Sequence, residues 1–141
     1  MRKYLISSVF LLAITSIIYS CQSQEKMDLQ NYIASGRDIY IAKCQNCHGE
    51  KGEGLGELAP PLTDSLFIKA NKSRLACFVK NGVNEPLVVH GKEYKEKMPA
   101  FPELTNIEVA QVLVFITNSF GNKEGFYSYD QVSADLIDCR K

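Results

Sequence analysis

An excess of charge of either sign is missing from this 141-residue chain, in which 16 Lys and Arg balance 16 Asp and Glu. With neither a basic stripe nor a platform of stacking side chains, it lacks what nucleic-acid binding requires. A second close cysteine pair is also missing. Only Cys44 and Cys47 are near each other, whereas Cys21, Cys77 and Cys139 are scattered, which argues against a zinc ribbon. No β-α-β pattern surrounds the pair, since helix-like residues precede Cys44 and a glycine-rich loop follows; this argues against a thioredoxin-like redox site. Gly49, Gly52, Gly54 and Gly56 lack both a preceding buried strand and a following Gly-Lys-Ser/Thr, so the loop is not built for phosphate. Finally, there is no uninterrupted apolar run of about 20 residues, the length of a membrane span. The chain has room for one small domain, a leader and an appendage, but not for a second core.

What is present begins with that leader. Met1, Arg2 and Lys3 make a basic start, and residues 4–19 are apolar but softened by Ser7, Ser8, Thr15 and Ser16. This reads as an export signal rather than a permanent anchor. Ile18-Tyr19-Ser20-Cys21 resembles a bacterial lipobox, which implies a signal peptide over 1–20, cleavage before Cys21, and lipid on that cysteine. Removing Arg2 and Lys3 with the leader leaves 14 basic against 16 acidic side chains. Residues 21–30 are polar without a hydrophobic period and read as a tether.

The informative stretch is Cys44-Gln45-Asn46-Cys47-His48. Thiols three positions apart lie about one helical turn apart, so both reach the two vinyl groups of one haem while the adjoining imidazole meets the iron. One covalent haem c and its iron are therefore the expected cofactor. Cys77 falls off the helical face made by Leu75, Phe78 and Val79, and in an oxidising compartment it is a candidate disulfide partner for Cys139. The alternative is two unrelated cysteines.

Further residues extend the pattern. Gly36 stands eight positions before Cys44 and Tyr40 four before it; Val112 and Phe115 sit on a late helix opened by Thr105-Asn106-Ile107-Glu108, a capping-box sequence. Ile107, Ala110, Leu113, Val114 and Ile116 give that helix a broad apolar surface, with Gly121 as its expected stop. In these positions the chain resembles class I cytochromes c. The resemblance implies an all-α fold, a small set of helices and loops wrapped around one covalent haem, over residues 31–121. It also implies that Gly36 and Tyr40 press against Val112 and Phe115. Ala59-Pro60-Pro61-Leu62 resembles the family's Pro-x-Leu, in which a proline carbonyl accepts from the axial histidine; Pro60 fits the spacing better than Pro61. Lys97-Met98-Pro99-Ala100-Phe101 resembles the sixth-ligand signature, which makes Met98 the expected distal ligand. His90 competes for that role, and Met27 is poorly placed.

Between these motifs, residues 73–81 read as a helix ending at Gly82, and Leu87, Val88 and Val89 as a brief extended segment with too little after it to build a sheet. Residues 122–141 form an extension in which Phe126, Tyr127 and Tyr129 either pack on the domain surface or form a partner-docking patch, and residues 133–139 form a short helix holding Leu136 and Ile137 inward; the alternative is a loose tail. A haem with both axial positions filled, by His48 and Met98, changes charge without binding a substrate. The expected function is that of an electron carrier rather than an enzyme, with redox proteins of a respiratory chain as partners, no small-molecule substrate, and a lipid on Cys21 holding it to a bacterial membrane, facing the periplasm. Two other readings stay open: a haem peroxidase or gas sensor with a displaceable Met98, and the haem subunit of a larger oxidase or reductase.

Overall fold

A computed structural model of the chain describes residues 2–139, with side chains described outside residues 2–7 and 18–23. Two compact units divide between Asn31 and Tyr32. Helix α1 (Arg2–Lys43) contributes its earlier part to the first unit and its last turns to the second. The tether expected over 21–30 is thus helical. Polarity alone does not break a helix: this stretch has neither Gly nor Pro, is rich in good helix formers, and Gln24 Nε2 donates to Asp28 Oδ1 one turn on at 3.0 Å. In the first unit Val9, Phe10, Leu11, Leu12 and Ile17 are exposed. Among the described residues, no helix is long and apolar enough to cross a membrane.

The second unit continues through α2 (Gln45–His48), α3 (Ser65–Ala70), α4 (Lys72–Asn81), strands β1 (Leu87–Val89) and β2 (Lys92–Tyr94), α5 (Asn106–Thr117) and α6 (Tyr129–Asp138). Its centre is α5. Thr105 and Glu108 cap that helix reciprocally, and Val109, Ala110 and every residue from Val112 to Thr117 are buried. A helix apolar on all sides must be covered on all sides. The end of α1 covers one of them. A Cβ on Gly36 would stand 2.0 Å from the Gln111 carbonyl oxygen, so the two backbones meet where only hydrogen fits. One turn later, Tyr40 packs on Phe115 and Phe120, with ring centroids 5.2 and 5.3 Å away. Such aromatic pairs add about 0.5–1.5 kcal/mol each beyond the area they bury. Ile107, expected in the apolar surface, stands in the first turn and is partly exposed. The helix stops at Thr117, earlier than Gly121, because the Asn118 side chain leaves the helical pattern to donate to the Gly125 carbonyl at 2.8 Å and accept the Gly125 N–H at 2.9 Å.

The fold is mostly helical, as the resemblance implied, with one addition. β1 and β2 pair antiparallel in the register Leu87↔Tyr94, Val88↔Glu93, Val89↔Lys92. The expectation that too little followed Val89 for pairing is corrected by the turn: His90 and Gly91 take φ of 53° and 73°, the double left-handed conformation of a tight two-residue hairpin.

The extension is integral to the unit. Helix α6, capped by Ser128 and Gln131, packs on α4 and α5, and Tyr127 and Val132 are buried there. Phe126 meets Tyr32 edge to face at 4.8 Å. Ile137, expected inward, is exposed, and Val132 takes the inward place. Cys77 of α4 is bonded to Cys139, with Cα atoms 5.6 Å apart. A link closing 62 residues stabilises by on the order of 4 kcal/mol in the chain-entropy description.

Candidate haem site

The site grows out of the end of α1. Cys44 closes that helix with its N–H on the Tyr40 carbonyl at 2.8 Å, and its own carbonyl accepts the His48 N–H at 2.9 Å. This single turn places Cys44, Cys47 and His48 on the same cavity. Neither cysteine is in a disulfide; Cys44 is buried and Cys47 exposed. Burial, helped by Cys47 nearby, pushes the Cys44 thiol up to about 11, so it rests neutral. Tyr40 secures the turn from the other side, its buried hydroxyl donating to the Gly49 carbonyl at 2.6 Å. Burial foremost raises the pKa of this phenol, with Cys44 and Glu53 adding to it, and keeps it a donor.

His48 is nine-tenths buried, and its Nδ1 lies 3.0 Å from the Pro60 carbonyl. Pro60, rather than Pro61, thus stands where the acceptor was expected. Burial lowers the His48 pKa more than the Pro60 contact raises it, so the ring is held neutral. A neutral ring with Nδ1–H on a carbonyl leaves Nε2 as its lone-pair donor, the arrangement of a metal-ligating histidine with its orienting acceptor. The loop that delivers Pro60 is folded tightly. Leu55 bridges to Ala59, and a Cβ on Gly54 would stand 2.5 Å from the Ala59 oxygen.

The rest of the cavity is mostly apolar, with Lys43, Glu96 and Lys97 also among its lining residues. Ile68, Leu75, Phe78, Val79, Leu113 and Ile116 line it together with Met98. Met98 is held by its backbone, exchanging two hydrogen bonds of 3.0 Å with Val83. The loop continues with the Phe101 N–H on the Val79 carbonyl at 3.1 Å. Lys80 then secures its far end by donating to the carbonyls of Pro102, at 2.9 Å, and Leu104. A thioether carried on a loop pinned in this way needs little reorganisation to serve as a ligand. His90, the competing histidine, stays at the hairpin turn, exposed and 3.5 Å from Asp64, outside the cavity lining. Met27 belongs to the first unit and is exposed. The side chain of Cys21, the expected lipid carrier, lies outside the described residues.

The donor set fits a covalently attached haem: two unpaired thiols one turn apart, a neutral imidazole with its second nitrogen engaged, a thioether lining the same cavity, and apolar side chains around them. Residues 31–116 match the protein family described as cytochrome C oxidase, cbb3-type, subunit III. The chain belongs to this cytochrome c family. Among curated proteins it is similar to cytochrome c-552 of Thermus thermophilus, 27% identical over 108 residues that cover 74% of this chain and 82% of the relative. A second cytochrome c-552, from a named strain of the same organism, is likewise 27% identical over 108 residues, covering 74% of this chain and 72% of that one. As a cytochrome c, the protein carries covalently bound haem c with its iron, and its chemistry is haem-based electron transfer.

Several supporting residues escaped the sequence reading. Asp64 caps α3 by accepting from Leu66 N and Phe67 N, and also accepts from the His90 backbone N–H at 3.2 Å, tying α3 to the hairpin. Its carboxyl is held below the usual range, first by the Phe67 N–H. Asp-Ser before an apolar pair was a readable cap signal; the long-range partners of Lys80 and Asn122 had none.

Proposed function

We propose that the protein is a membrane-anchored monohaem carrier that passes single electrons between respiratory redox proteins. Cys44 and Cys47 would hold the haem through thioethers, His48 and Met98 would ligate its iron, and the Pro60 carbonyl orients His48. When bound, the haem supplies an iron that alternates between the ferrous and ferric states. The chain's residues do the rest. His48, kept neutral by burial, donates through Nε2. Met98, on the cavity lining, would take the ligand place that a substrate would need. Ile68, Leu75, Val79 and Leu113 exclude water, and a low-dielectric surround disfavours the extra charge of the ferric state. The observation that carries this reading is the presence of His48 and Met98 on one apolar cavity, each already fixed by backbone hydrogen bonds.

In the purified oxidised protein we expect a low-spin spectrum with the weak sulfur-to-iron band, and no turnover of added peroxide. A high-spin resting state that consumes peroxide would replace the carrier with an enzyme. The subunit reading draws support from the matched family, whose description is that of an oxidase subunit. Recovery of the protein from mildly solubilised membranes in a stable stoichiometric complex with an oxidase would favour the subunit over the free carrier.

Anchoring rests on Ser20-Cys21 after the apolar run. Cys21→Ser is expected to abolish incorporation of labelled fatty acid and leave the precursor uncleaved at that residue. Equal labelling of the substituted protein would rule out lipid on Cys21.

A further inference from the structure

Asn122 lies just beyond the family match, which ends at residue 116, in a stretch whose sequence suggests only an appendage. It is nonetheless 2% exposed, with every polar group of its side chain engaged. Nδ2 donates to the Leu62 carbonyl at 2.8 Å and the Ile116 carbonyl at 3.0 Å, while Oδ1 accepts from Ser65 Oγ at 2.7 Å. One amide thus joins the end of α5, the start of α3 and the loop carrying the histidine acceptor. Leu62 is two residues after Pro60, and its own N–H is fixed on the Gly52 carbonyl at 2.7 Å. Between them Pro60 and Pro61 have locked φ angles, so a displacement at Leu62 is passed along the chain rather than absorbed.

We propose that Asn122 is a positioning residue for the axial histidine. By holding the Leu62 carbonyl it keeps the Pro60 carbonyl on His48 Nδ1, and so sets how strongly the imidazole donates to iron. This rests on His48 being the axial ligand. A firm Nδ1–H···O bond gives the ring more anionic character, which favours ferric iron; loosening the bond therefore raises the potential.

The test compares three holoproteins. Asn122→Asp is nearly isosteric and keeps the acceptor for Ser65, but loses both donations. Asn118→Ala removes the contacts to Val114 and Gly125 in the same region without touching residues 60–62. The readouts are hydrogen exchange of His48 Nδ1–H by NMR in the reduced protein, and the midpoint potential. For Asn122→Asp we expect exchange about tenfold faster, the scale of a lost buried hydrogen bond, with a higher potential. For Asn118→Ala we expect neither change, even at an equal loss of thermal stability. If the Asp variant yields no holoprotein, Asn122→Ser is measured in the same way. Wild-type values in the Asn122 variants, or equal changes in Asn118→Ala, would overturn the proposal. Absence of the ring-current shift of a haem-bound imidazole on His48 in the wild type would instead overturn axial ligation itself, a distinct failure.

Discussion

Met98→Ala is expected to lower the midpoint potential by roughly 0.1–0.3 V, a fraction of the ≈0.8 V range that axial ligands span. It should also abolish the sulfur-to-iron band and let cyanide bind readily, where the native protein binds it slowly. The sign follows from chemistry: a soft, neutral thioether favours ferrous iron, and water or hydroxide in its place does not. The fold should survive, because the loop is held through the backbone pairing of Met98 with Val83 and of Phe101 with Val79, which alanine retains. Thermal unfolding measured beside the potential separates lost ligation from lost structure. An unchanged spectrum with cyanide still excluded would remove Met98 from the iron, with His90 next to be substituted.

Gly36→Ala should be the most damaging single-methyl change in the second unit. Two effects oppose each other. Alanine gains about 1 kcal/mol of helix propensity over glycine. Against this, the added Cβ would lie 2.0 Å from the Gln111 carbonyl oxygen, 2.5 Å from its carbon and 2.9 Å from Phe115 Cβ. Two of those atoms are backbone inside a buried helix and cannot turn aside, so α1 and α5 must separate. Overpacking of this kind costs about 1–3 kcal/mol and more when backbone must move. With backbone forced to move, the cost stands at or above the upper end of that range, about 3 kcal/mol or more; less the propensity gain, the net loss is about 2 kcal/mol or more, a fall in Tm of roughly 8 °C or more for a domain of this size. A variant as stable as the wild type would mean that the helices do not cross at Gly36.

The parts of the site that the sequence disclosed are those written in short spacing. Cys44, Cys47 and His48 share one turn, Pro60 and Met98 sit in short proline-marked segments, and Gly36 with Tyr40 is one face of one helix. Elements decided by distant partners were not legible. Helix α3 is six residues long with Leu66 exposed, too short to show a period, and it is nucleated by the Asp64 cap. The hairpin depends on a histidine in a left-handed conformation, which its residue type does not announce. Asn122 is polar in a polar stretch, and only its contacts with Leu62, Ser65 and Ile116 turn it inward. Polarity likewise concealed the helix over 21–30, because solvent exposure demands no apolar period.

The Cys77–Cys139 link carries a consequence for how the chain is made. In an oxidising compartment the four thiols of the second unit must reach opposite ends: one pair oxidised to each other, the other kept reduced for thioether formation. Sequence distance favours the wrong outcome, since Cys44 and Cys47 meet in any transient turn, whereas Cys77 must wait for a partner 62 residues later. Folding reverses the odds. Packing of α6 on α4 brings the second pair within bonding reach, and burial of Cys44 shields it from wrong partners. Helix α6 therefore sorts the thiols: in a chain truncated before it, Cys77 has no partner, and the oxidant of the compartment can instead take two electrons from Cys77 and Cys44 or Cys47 and join them in a wrong disulfide.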